Sequence, residues 1–504
     1  MQLTDANGSA RRDELFERLR REVVGLEVQY TLATGERTRR IYLDSTASTL
    51  RLKVVQEVLD KFQPYYSNTH SLLHFGAKLS TREYQWAHDM VLEFVRANPE
   101  IYTAFFVGSG TTGGMNRVAC TLREKRPARD VVITTIMEHH SNDLPHRKHF
   151  REVVHIPAAM AAHSLGCVNL RRLEEALREH HDKVNYVAIT GVSNVTGIIN
   201  PVHDVAEMAH RYGALIVVDA AQMTAHVPIQ MSGHDNPARD LDVLVFSGHK
   251  IYAPGSPGVV VTRQELFAGL EPQEVGGGMV ETVYLNRYTL SQKFPDREEA
   301  GTPNICGAIG LAAALYALNQ IGMDYIAEEE CRLIAYAIAK LSTVDDLIIY
   351  GETDCTQCQR TGAISFNLKN MDHGLVAAAL NDYFNISVRN ECFCAHPYVR
   401  EMVTMSLAEE AERLSDEALE QLAELHRGMV RASFGIYSTE KDVDALVAAL
   451  KHITANKDFY RAQYLRLPNG DYEHKTFKFD HTKIFSIRGE VDAWLQAQCV
   501  QPRV

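Results

Sequence analysis

The sequence predicts no segment that would carry the protein into or across a membrane. Its first residues, Met1-Gln2-Leu3-Thr4-Asp5-Ala6, contain no apolar stretch of the kind found in secretory signal peptides. No uninterrupted apolar run approaches the roughly 18 residues that a membrane-spanning helix needs. We therefore expect a soluble, cytoplasmic protein with no membrane partner.

Cysteine and positive charge are also scarce. The 504 residues include nine cysteines, an odd number spread through the chain, whereas a secreted disulfide framework places an even number in a short chain. The 52 basic residues are outnumbered by 64 acidic ones, which leaves a formal net charge of −12. A surface of that sign repels phosphate backbones, so nucleic acid is not an expected partner.

The most informative segment that is present is Ser247-Gly248-His249-Lys250. It follows the apolar run 242–246 and precedes the glycine- and proline-rich turn 253–258, so Lys250 is expected at the end of a buried strand. Burial disfavours the ammonium and leaves an amine that can condense with an aldehyde near neutral pH. This is how proteins hold pyridoxal phosphate. The motif alone is also consistent with a solvated lysine on a surface loop.

Two further segments supply what that cofactor needs. Leu215-Ile216-Val217-Val218 is typical of a buried parallel strand and ends in Asp219, whose carboxylate can keep the cofactor's ring nitrogen protonated. Asp219 could instead cap the next helix. The glycine-rich turn 108–114 follows an apolar run and opens a helical pattern, so it offers N–H groups and hydroxyls to a phosphate.

Several segments together resemble the signature of the class V aminotransferase family, specifically its cysteine desulfurase and selenocysteine lyase group. They lie between about Tyr42 and His452 and comprise 110–112, 138–142, 192–194, 218–222, 246–250, 299–304 and 431–433. The resemblance implies an α/β, fold-type I pyridoxal-phosphate-dependent transferase. Its large domain would have a mostly parallel, seven-stranded sheet, joined to a smaller α+β C-terminal domain.

The resemblance also implies how the cofactor is held. Lys250 would form the Schiff base, Asp219 would pair with the ring nitrogen, and His139 would stack on the ring face. Gln222 would meet the ring hydroxyl. The residues implied for the phosphate are Thr111, Thr112, Ser247 and His249.

Substrate binding and assembly are implied in the same way. Asn194 and Arg431 would bind an amino-acid substrate, the guanidinium forming a two-pronged pair with its carboxylate. Thr302 belongs to a motif that in this family reaches the phosphate of the neighbouring subunit, so we expect a homodimer. His70 lies in a segment that commonly lines the substrate pocket. That segment has Ser-Leu where the family tends to have Arg-Gly, which predicts a different or more apolar substrate.

The sulfur chemistry rests on segment 387–397, which resembles the desulfurase loop in which an arginine precedes the catalytic cysteine by five residues. In that register Cys394 is the persulfide-forming nucleophile and Arg389 lies near the substrate carboxylate. The segment has lost the family's glycine and two histidines and has gained Glu391 and Cys392. We therefore expect thiolate formation at Cys394 to lack nearby imidazole and to be opposed by Glu391.

Two close cysteine pairs, Cys355/Cys358 and Cys392/Cys394, leave alternatives open. Four thiolates could bind a tetrahedral Zn²⁺ if the two loops meet, or the first pair could be redox-active. Because C-x-C is an unusual spacing for zinc, no metal site is assigned.

The chain divides into four expected parts: an N-terminal helical arm (1–40), a large cofactor-binding domain (41–300), a small domain carrying the Cys394 loop (301–454) and an extension of unknown role (455–504). The expected local elements include helices over 11–30, 84–98 and 491–495, a strand over 476–480, and a long acidic helix over 406–425. That acidic helix is a solvated surface helix in one interpretation and a lid or docking element in the other.

The expected reaction is cleavage of the C–S or C–Se bond of a cysteine-like amino acid, giving alanine and a persulfide on Cys394 that passes to an acceptor protein. Another class V reaction is the main alternative: a C–S lyase on a modified cysteine, an aminotransferase or an epimerase. A scaffold that retains pyridoxal phosphate without turnover is the other, since fold alone does not fix function.

Overall fold

The computed structural model describes residues 6–162, 164–411 and 427–499. Its helices are α1 (Ala6–Arg21), α2 (Lys53–Phe62), α3 (Phe75–Phe94), α4 (Gly110–Lys125), α5 (Leu144–His149), α6 (Leu170–His180), α7 (Val202–Arg211), α8 (Met223–His226), α9 (Gln264–Phe267), α10 (Ile305–Ile321), α11 (Met323–Leu341), α12 (His373–Phe384), α13 (His396–Ala411), α14 (Glu440–Ala455), α15 (Lys457–Gln463) and α16 (Ile487–Cys499).

Short strands alternate with these helices. They are β1 (Gln29–Thr31), β2 (Arg37–Arg39), β3 (Ile41–Tyr42), β4 (Tyr102–Val107), β5 (Val131–Thr135), β6 (Glu152–Ile156), β7 (Ala158–Met160), β8 (Leu165–Val168), β9 (Val184–Thr190), β10 (Leu215–Asp219), β11 (Val243–Ser247), β12 (Gly258–Arg263), β13 (Val280–Tyr284), β14 (Arg287–Leu290), β15 (Leu347–Ile349), β16 (Ala363–Leu368), β17 (Ile386–Ser387), β18 (Arg389–Glu391), β19 (Met429–Ser433), β20 (Tyr464–Arg466) and β21 (Tyr472–His474).

Seven of the strands form one large sheet in the order β4-β12-β11-β10-β9-β5-β6. Strand β10 pairs in parallel with both β9 and β11, while β12 is antiparallel to its two neighbours, β11 and β4. The inner strands β9 and β11 are buried along their length, as expected for parallel strands that are covered on both faces. The mostly parallel, seven-stranded sheet of the expected α/β fold is thereby confirmed.

The carboxyl ends of β10 and β11 meet at one edge of this sheet. Asp219 ends β10 and pairs with Val245, two residues before Ser247 ends β11. In open α/β sheets the crevice outside these strand ends is where ligands bind. The sheet thus brings Asp219 and the segment leading to Lys250 to the same place.

A second, four-stranded sheet in the order β15-β16-β19-β18 forms the smaller α+β part. Its antiparallel strands pack against α11, α12 and α14 around a separate apolar cluster that includes Phe366 and Leu446. Strands β18 and β19 place Arg389 directly opposite Arg431.

Some local expectations were wrong. The helix expected over 11–30 ends at Arg21, and Gly25 follows with a φ of +81°. No strand forms over 476–480, because the ring of His474 accepts the backbone N–H groups of Thr476 and Phe477 and turns the chain. The helix expected over 84–98 is present with other bounds, because α3 begins at Phe75 and ends at Phe94.

Other elements match their expectations. The short helix expected over 491–495 lies within α16. Of the expected acidic helix over 406–425, residues up to Ala411 belong to α13, and the remainder lies outside the described residues. Within the described ranges no single helix is long and apolar enough to cross a membrane, and only α10 and α11, bent by 81° at their junction, meet the length and composition criteria as a pair. The domain boundaries stay a prediction.

Candidate functional site

A cavity of about 550 Å³ opens at the carboxyl ends of β10 and β11, under the edge strand β18 of the smaller sheet. We call it the Lys250 cavity. Most of the expected site residues line it, namely Thr111, Thr112, His139, Asn194, Asp219, Gln222, Ser247, His249, Lys250, Arg389, Cys394 and Arg431. His70 and Thr302 are outside its described lining.

Lys250 lies in a short 3-10 turn directly after β11. Burial lowers the pKa of its amine to about 8, although the nearby Asp219 carboxylate opposes that shift. A substantial fraction of the amine is therefore unprotonated just above neutral pH, as condensation with an aldehyde requires. This is the environment that the sequence pattern led us to expect.

Asp219 is buried at the end of β10 and accepts a hydrogen bond from Ala221 N at 2.9 Å. Burial raises its pKa, while the Ala221 N–H and the Lys250 ammonium oppose the shift. Next to it, Gln222 Nε2 donates to Thr46 O at 2.9 Å, which fixes the amide at the cavity wall.

The start of α4 forms an anion cradle. Ser247 Oγ accepts from Thr111 N at 2.7 Å and lies 2.8 Å from Thr111 Oγ1, so strand β11 holds the first turn of the helix. Gly110 has a φ of +59°, and a Cβ on Gly258 would come within 2.4 Å of its carbonyl oxygen. Only glycine permits this approach, which leaves the N–H groups and positive end of the α4 dipole at the cavity.

His139 and His249 contribute neutral rings. Burial lowers the pKa of each to about 4, with the Lys250 ammonium adding to the effect. His139 Nδ1 accepts from Ser141 N at 3.1 Å, which leaves the ring proton on Nε2. A neutral, fixed imidazole is suited to stacking on an aromatic ring. Together with the amine, the carboxylate and the cradle, it gives a donor set that fits pyridoxal phosphate.

Arg431 is the buried guanidinium of the cavity, with 4% of its side chain exposed. Its Nη1 donates to Asn194 O at 2.8 Å, and its guanidinium carbon lies 4.6 Å from the ring centre of Phe393. Its Nε is buried without a partner in the described part of the chain. Burial lowers the pKa of Arg431 to about 10, so an incoming carboxylate would satisfy both its charge and its orphaned N–H.

Arg389 is the more exposed of the two cavity arginines, with 52% of its side chain exposed. Its Nη2 donates to Asp44 Oδ2 at 2.8 Å, while Arg431 Nη2 lies 3.7 Å from Asp44 Oδ1. Asp44 was not identified from the sequence, since it follows strand β3 with no motif around it. In the structure the Asp44 carboxylate lies between the two arginines and partly balances the charge of both.

Cys394 is exposed and lies in a tight turn. Ala395 N donates to Cys392 O at 2.9 Å, and the two central residues, Phe393 and Cys394, have φ values of +50° and +55°. These are the features of a type I′ turn, in which asparagine and glycine are preferred. Glu391, at the position of the family's glycine, also has a positive φ, of +98°.

Two histidines, His140 and His396, flank this turn. His140 N donates to Cys394 O at 2.7 Å, and the His140 ring stacks on that of His396 with their nitrogens 3.0 Å apart. His396 could have been noted from the sequence, because it follows Cys394 by two residues. These rings contact each other, and the expected lack of an imidazole at the Cys394 thiol stays a prediction.

His70 and Thr302 are exposed and lie near each other outside the Lys250 cavity. Thr302 Oγ1 accepts from Asn68 Nδ2 at 3.3 Å, and His70 Nε2 lies 3.4 Å from where a Cβ on Gly278 would stand. Their expected roles stay predictions.

The two cysteine pairs do not combine into a metal site. Among the described residues, no group of three or more His, Cys, Asp or Glu side chains could hold a metal ion. Cys358 instead lies 3.8 Å from Cys167, sulfur to sulfur.

Sequence reasoning also missed a role for Glu138. This buried carboxyl accepts from Thr135 Oγ1 and Asn142 Nδ2, each at 2.6 Å, and burial raises its pKa to about 8. Because it directly precedes His139, it anchors the segment that carries the stacking imidazole.

The fold and this cavity define an α/β protein with a half-buried lysine, its amine desolvated, at the carboxyl edge of a mostly parallel sheet, and comparison with known proteins is consistent with that class. The model of the family described as Aminotransferase class-V matches residues 41–446. The chain therefore belongs to the class V aminotransferase family.

Three individual proteins similar to this chain carry the name cysteine desulfurase. A "Probable cysteine desulfurase" of Halalkalibacterium halodurans is 33% identical over 82% of this chain and 92% of its own length. Among solved structures, the cysteine desulfurase of Thermococcus onnurineus is 29% identical with a TM-score of 0.71, and the cysteine desulfurase CsdA of Escherichia coli is 27% identical with a TM-score of 0.67. Each of these two structural comparisons covers 87% of this chain and 98% of the solved chain.

Proposed function

We propose that this protein is a pyridoxal-phosphate-dependent cysteine desulfurase that converts a cysteine-like amino acid to alanine and leaves the sulfur on Cys394. The observation that carries the proposal is the buried Lys250 amine, with its pKa lowered to about 8, beside the Asp219 carboxylate and the Thr111–Ser247 cradle. The curated relatives with this name support the sulfur chemistry.

Each part of the Lys250 cavity has one task in holding the cofactor. Lys250 Nζ would bind its aldehyde, Asp219 would pair with its ring nitrogen, and His139 would cover one face of the ring. Gln222 would meet the ring hydroxyl. The residues that would hold the phosphate are Thr111, Thr112, Ser247 and His249. When bound, the cofactor supplies an electron sink for bonds at the substrate's Cα and Cβ.

The substrate is oriented by its carboxylate. Arg431 offers a buried guanidinium with an orphaned Nε–H, and Asn194 lies beside it. Arg389 can leave Asp44 to reach the same carboxylate, since its side chain is half exposed. Two charge-assisted contacts then fix the substrate with its sulfur toward the turn that carries Cys394.

Cys394 carries out the sulfur step. Its thiolate attacks the substrate sulfur, an S–S bond forms as the substrate C–S bond breaks, and the electron pair of that bond stays on carbon. The carbon skeleton is released as alanine after it gains a proton. Lys250 Nζ is placed to take up and return protons at the substrate carbon.

Assembly and partners follow from the same proposal. We infer a homodimer in which Thr302 reaches the phosphate of the partner's cofactor, and His70 contributes to substrate binding. Both residues are exposed in the isolated chain. A thiol-bearing acceptor protein then takes the sulfur from the enzyme.

A product analysis tests the proposed function. The purified holoenzyme is given cysteine, and alanine, sulfide and pyruvate are measured separately, with Lys250→Ala as the inactive variant and Lys293→Ala as the matched control on an exposed lysine. We expect alanine without pyruvate from the wild type and the control. Pyruvate with sulfide would instead identify an eliminating C–S lyase, and no product would favour a scaffold.

A further inference from the structure

The loop that carries Cys394 separates two cavities. On one side is the Lys250 cavity, and on the other is a second cavity of about 540 Å³, which we call the Cys392 cavity. Asn390 and Glu391 line both. Cys394 lines the first and Cys392 lines the second, so this short segment presents one thiol to each side.

The turn brings the two thiols within reach of each other. The bond from Ala395 N to Cys392 O closes a four-residue turn whose ends lie within about 7 Å, and Cys394 is inside it. A persulfide extends the reach of its cysteine by one S–S bond, about 2 Å. One residue separates the two cysteines in this turn, and the charge of Cys394 acts on the Cys392 thiol. We therefore infer that side-chain rotation brings the outer sulfur on Cys394 to Cys392.

The surroundings of Cys392 suit a thiol that receives sulfur and passes it on. The side chain is half-buried, and its Sγ donates to Arg427 O at 3.4 Å. Burial raises its pKa, and the carboxylate of Glu391 adds to that shift, while the positive charges of Arg400 and Arg427 oppose it. Both arginines line the Cys392 cavity, so they are also placed to stabilise an anionic sulfur there.

We propose that Cys392 is a relay thiol that takes the sulfane sulfur from Cys394 and presents it to an acceptor thiol in the Cys392 cavity. This inference rests on the proposed function, since it needs the Cys394 persulfide. The Cys392 thiolate attacks the outer sulfur, a new S–S bond forms on Cys392, and the bond to the Cys394 sulfur breaks. Cys394 leaves as a thiolate and takes the proton that Cys392 lost. No external oxidant or reductant is needed, because the sulfane sulfur keeps its oxidation state.

The relay is tested by locating the sulfur atom over time. The holoenzyme receives one equivalent of cysteine without reductant, is quenched at intervals, alkylated with iodoacetamide and digested with trypsin. Cleavage after Arg389 and Arg400 releases one peptide that contains both thiols. Fragment masses then assign the extra sulfur to Cys394 or Cys392, and alanine is measured in the same samples.

We expect the extra sulfur on Cys394 first and on Cys392 later. In Cys392→Ser, whose hydroxyl can still donate to Arg427 O, the sulfur stays on Cys394 at every time. In Cys394→Ser, neither position is labelled. Cys355→Ser, a half-buried thiol outside both cavities, reproduces the wild-type order.

Three results overturn the relay. Alanine formation with sulfur on Cys394 alone at every time means that no sulfur passes to Cys392. Label on Cys392 in Cys394→Ser means that Cys392 is itself a primary nucleophile. A Cys392–Cys394 disulfide with released sulfide means that attack falls on the inner sulfur. If neither alanine nor extra sulfur is formed, it is the proposed function that fails.

Discussion

Arg389 and Arg431 lie directly opposite each other on two antiparallel strands, and the carboxylate of Asp44 lies between their guanidinium groups. The buried member, Arg431, also supports the turn by facing the ring of Phe393. In the proposed function, the same pair of strands would supply charge for a substrate carboxylate and help to hold the loop that carries Cys394.

Replacing Arg431 should weaken substrate binding more than it weakens the fold. In Arg431→Lys the charge remains but the two-pronged geometry is lost, and hydrogen bonds to charged groups contribute about 1.5–3 kcal/mol. We expect KM for cysteine to rise about 10- to 100-fold. Steady-state alanine formation measures it, with Arg82→Lys on the surface as control. An unchanged KM would remove Arg431 from the carboxylate site.

Replacing Cys394 should separate cofactor binding from sulfur transfer. Cys394→Ser keeps the shape of the turn but removes the nucleophile, so we expect full occupancy of the cofactor and loss of alanine formation from cysteine. Visible absorbance and amino-acid analysis measure the two properties. Alanine formed at the wild-type rate would move the function to selenocysteine cleavage or another lyase reaction, in which a protein thiol is less needed.

Lys250 should lower the stability of the cofactor-free protein near neutral pH. Its pKa is about 8 in the folded state and 10.5 in an ordinary environment, a difference of about 3 kcal/mol. Between these values the unfolded chain binds more protons than the folded one, so stability rises with pH. Below about pH 8 Lys250 is protonated in both the folded and the unfolded chain, so the full cost of burying its ammonium remains.

We therefore expect cofactor-free Lys250→Met to be more stable than the wild type at pH 7, with a difference that shrinks as the pH rises toward 10. Urea unfolding at several pH values measures this, and Lys293→Met serves as the surface control. A pH-independent difference would show that Lys250 is not desolvated.

A shared active site should be visible by complementation. If Thr302 serves the partner's phosphate, mixing Lys250→Ala with Thr302→Ala under subunit exchange creates one site with both lesions and one with neither. We expect partial recovery of activity in the mixture, provided that Thr302→Ala alone is strongly impaired. A monodisperse monomer with full cofactor occupancy and full turnover would contradict the shared site.

The central parts of the site could be predicted because they depend on strand ends. Unbroken apolar runs predict buried parallel strands, and the residue after such a run falls at the ligand-binding edge, as Asp219 does. Asp44 could not be found in this way, since its importance comes from two arginines that are remote in sequence. The absence of a strand at 476–480 depends on the His474 ring capturing backbone N–H groups, which an alternating pattern does not reveal.

The wall formed by Asn390 and Glu391 is common to the Lys250 and Cys392 cavities, which has a thermodynamic consequence. Any occupant of one cavity that displaces this wall changes the affinity of the other cavity for its own occupant. Linkage requires the two effects to be equal, so an acceptor that promotes amino-acid binding is itself bound more tightly when the amino acid is present. A single shared segment is therefore sufficient to couple the loading of substrate to the recruitment of an acceptor.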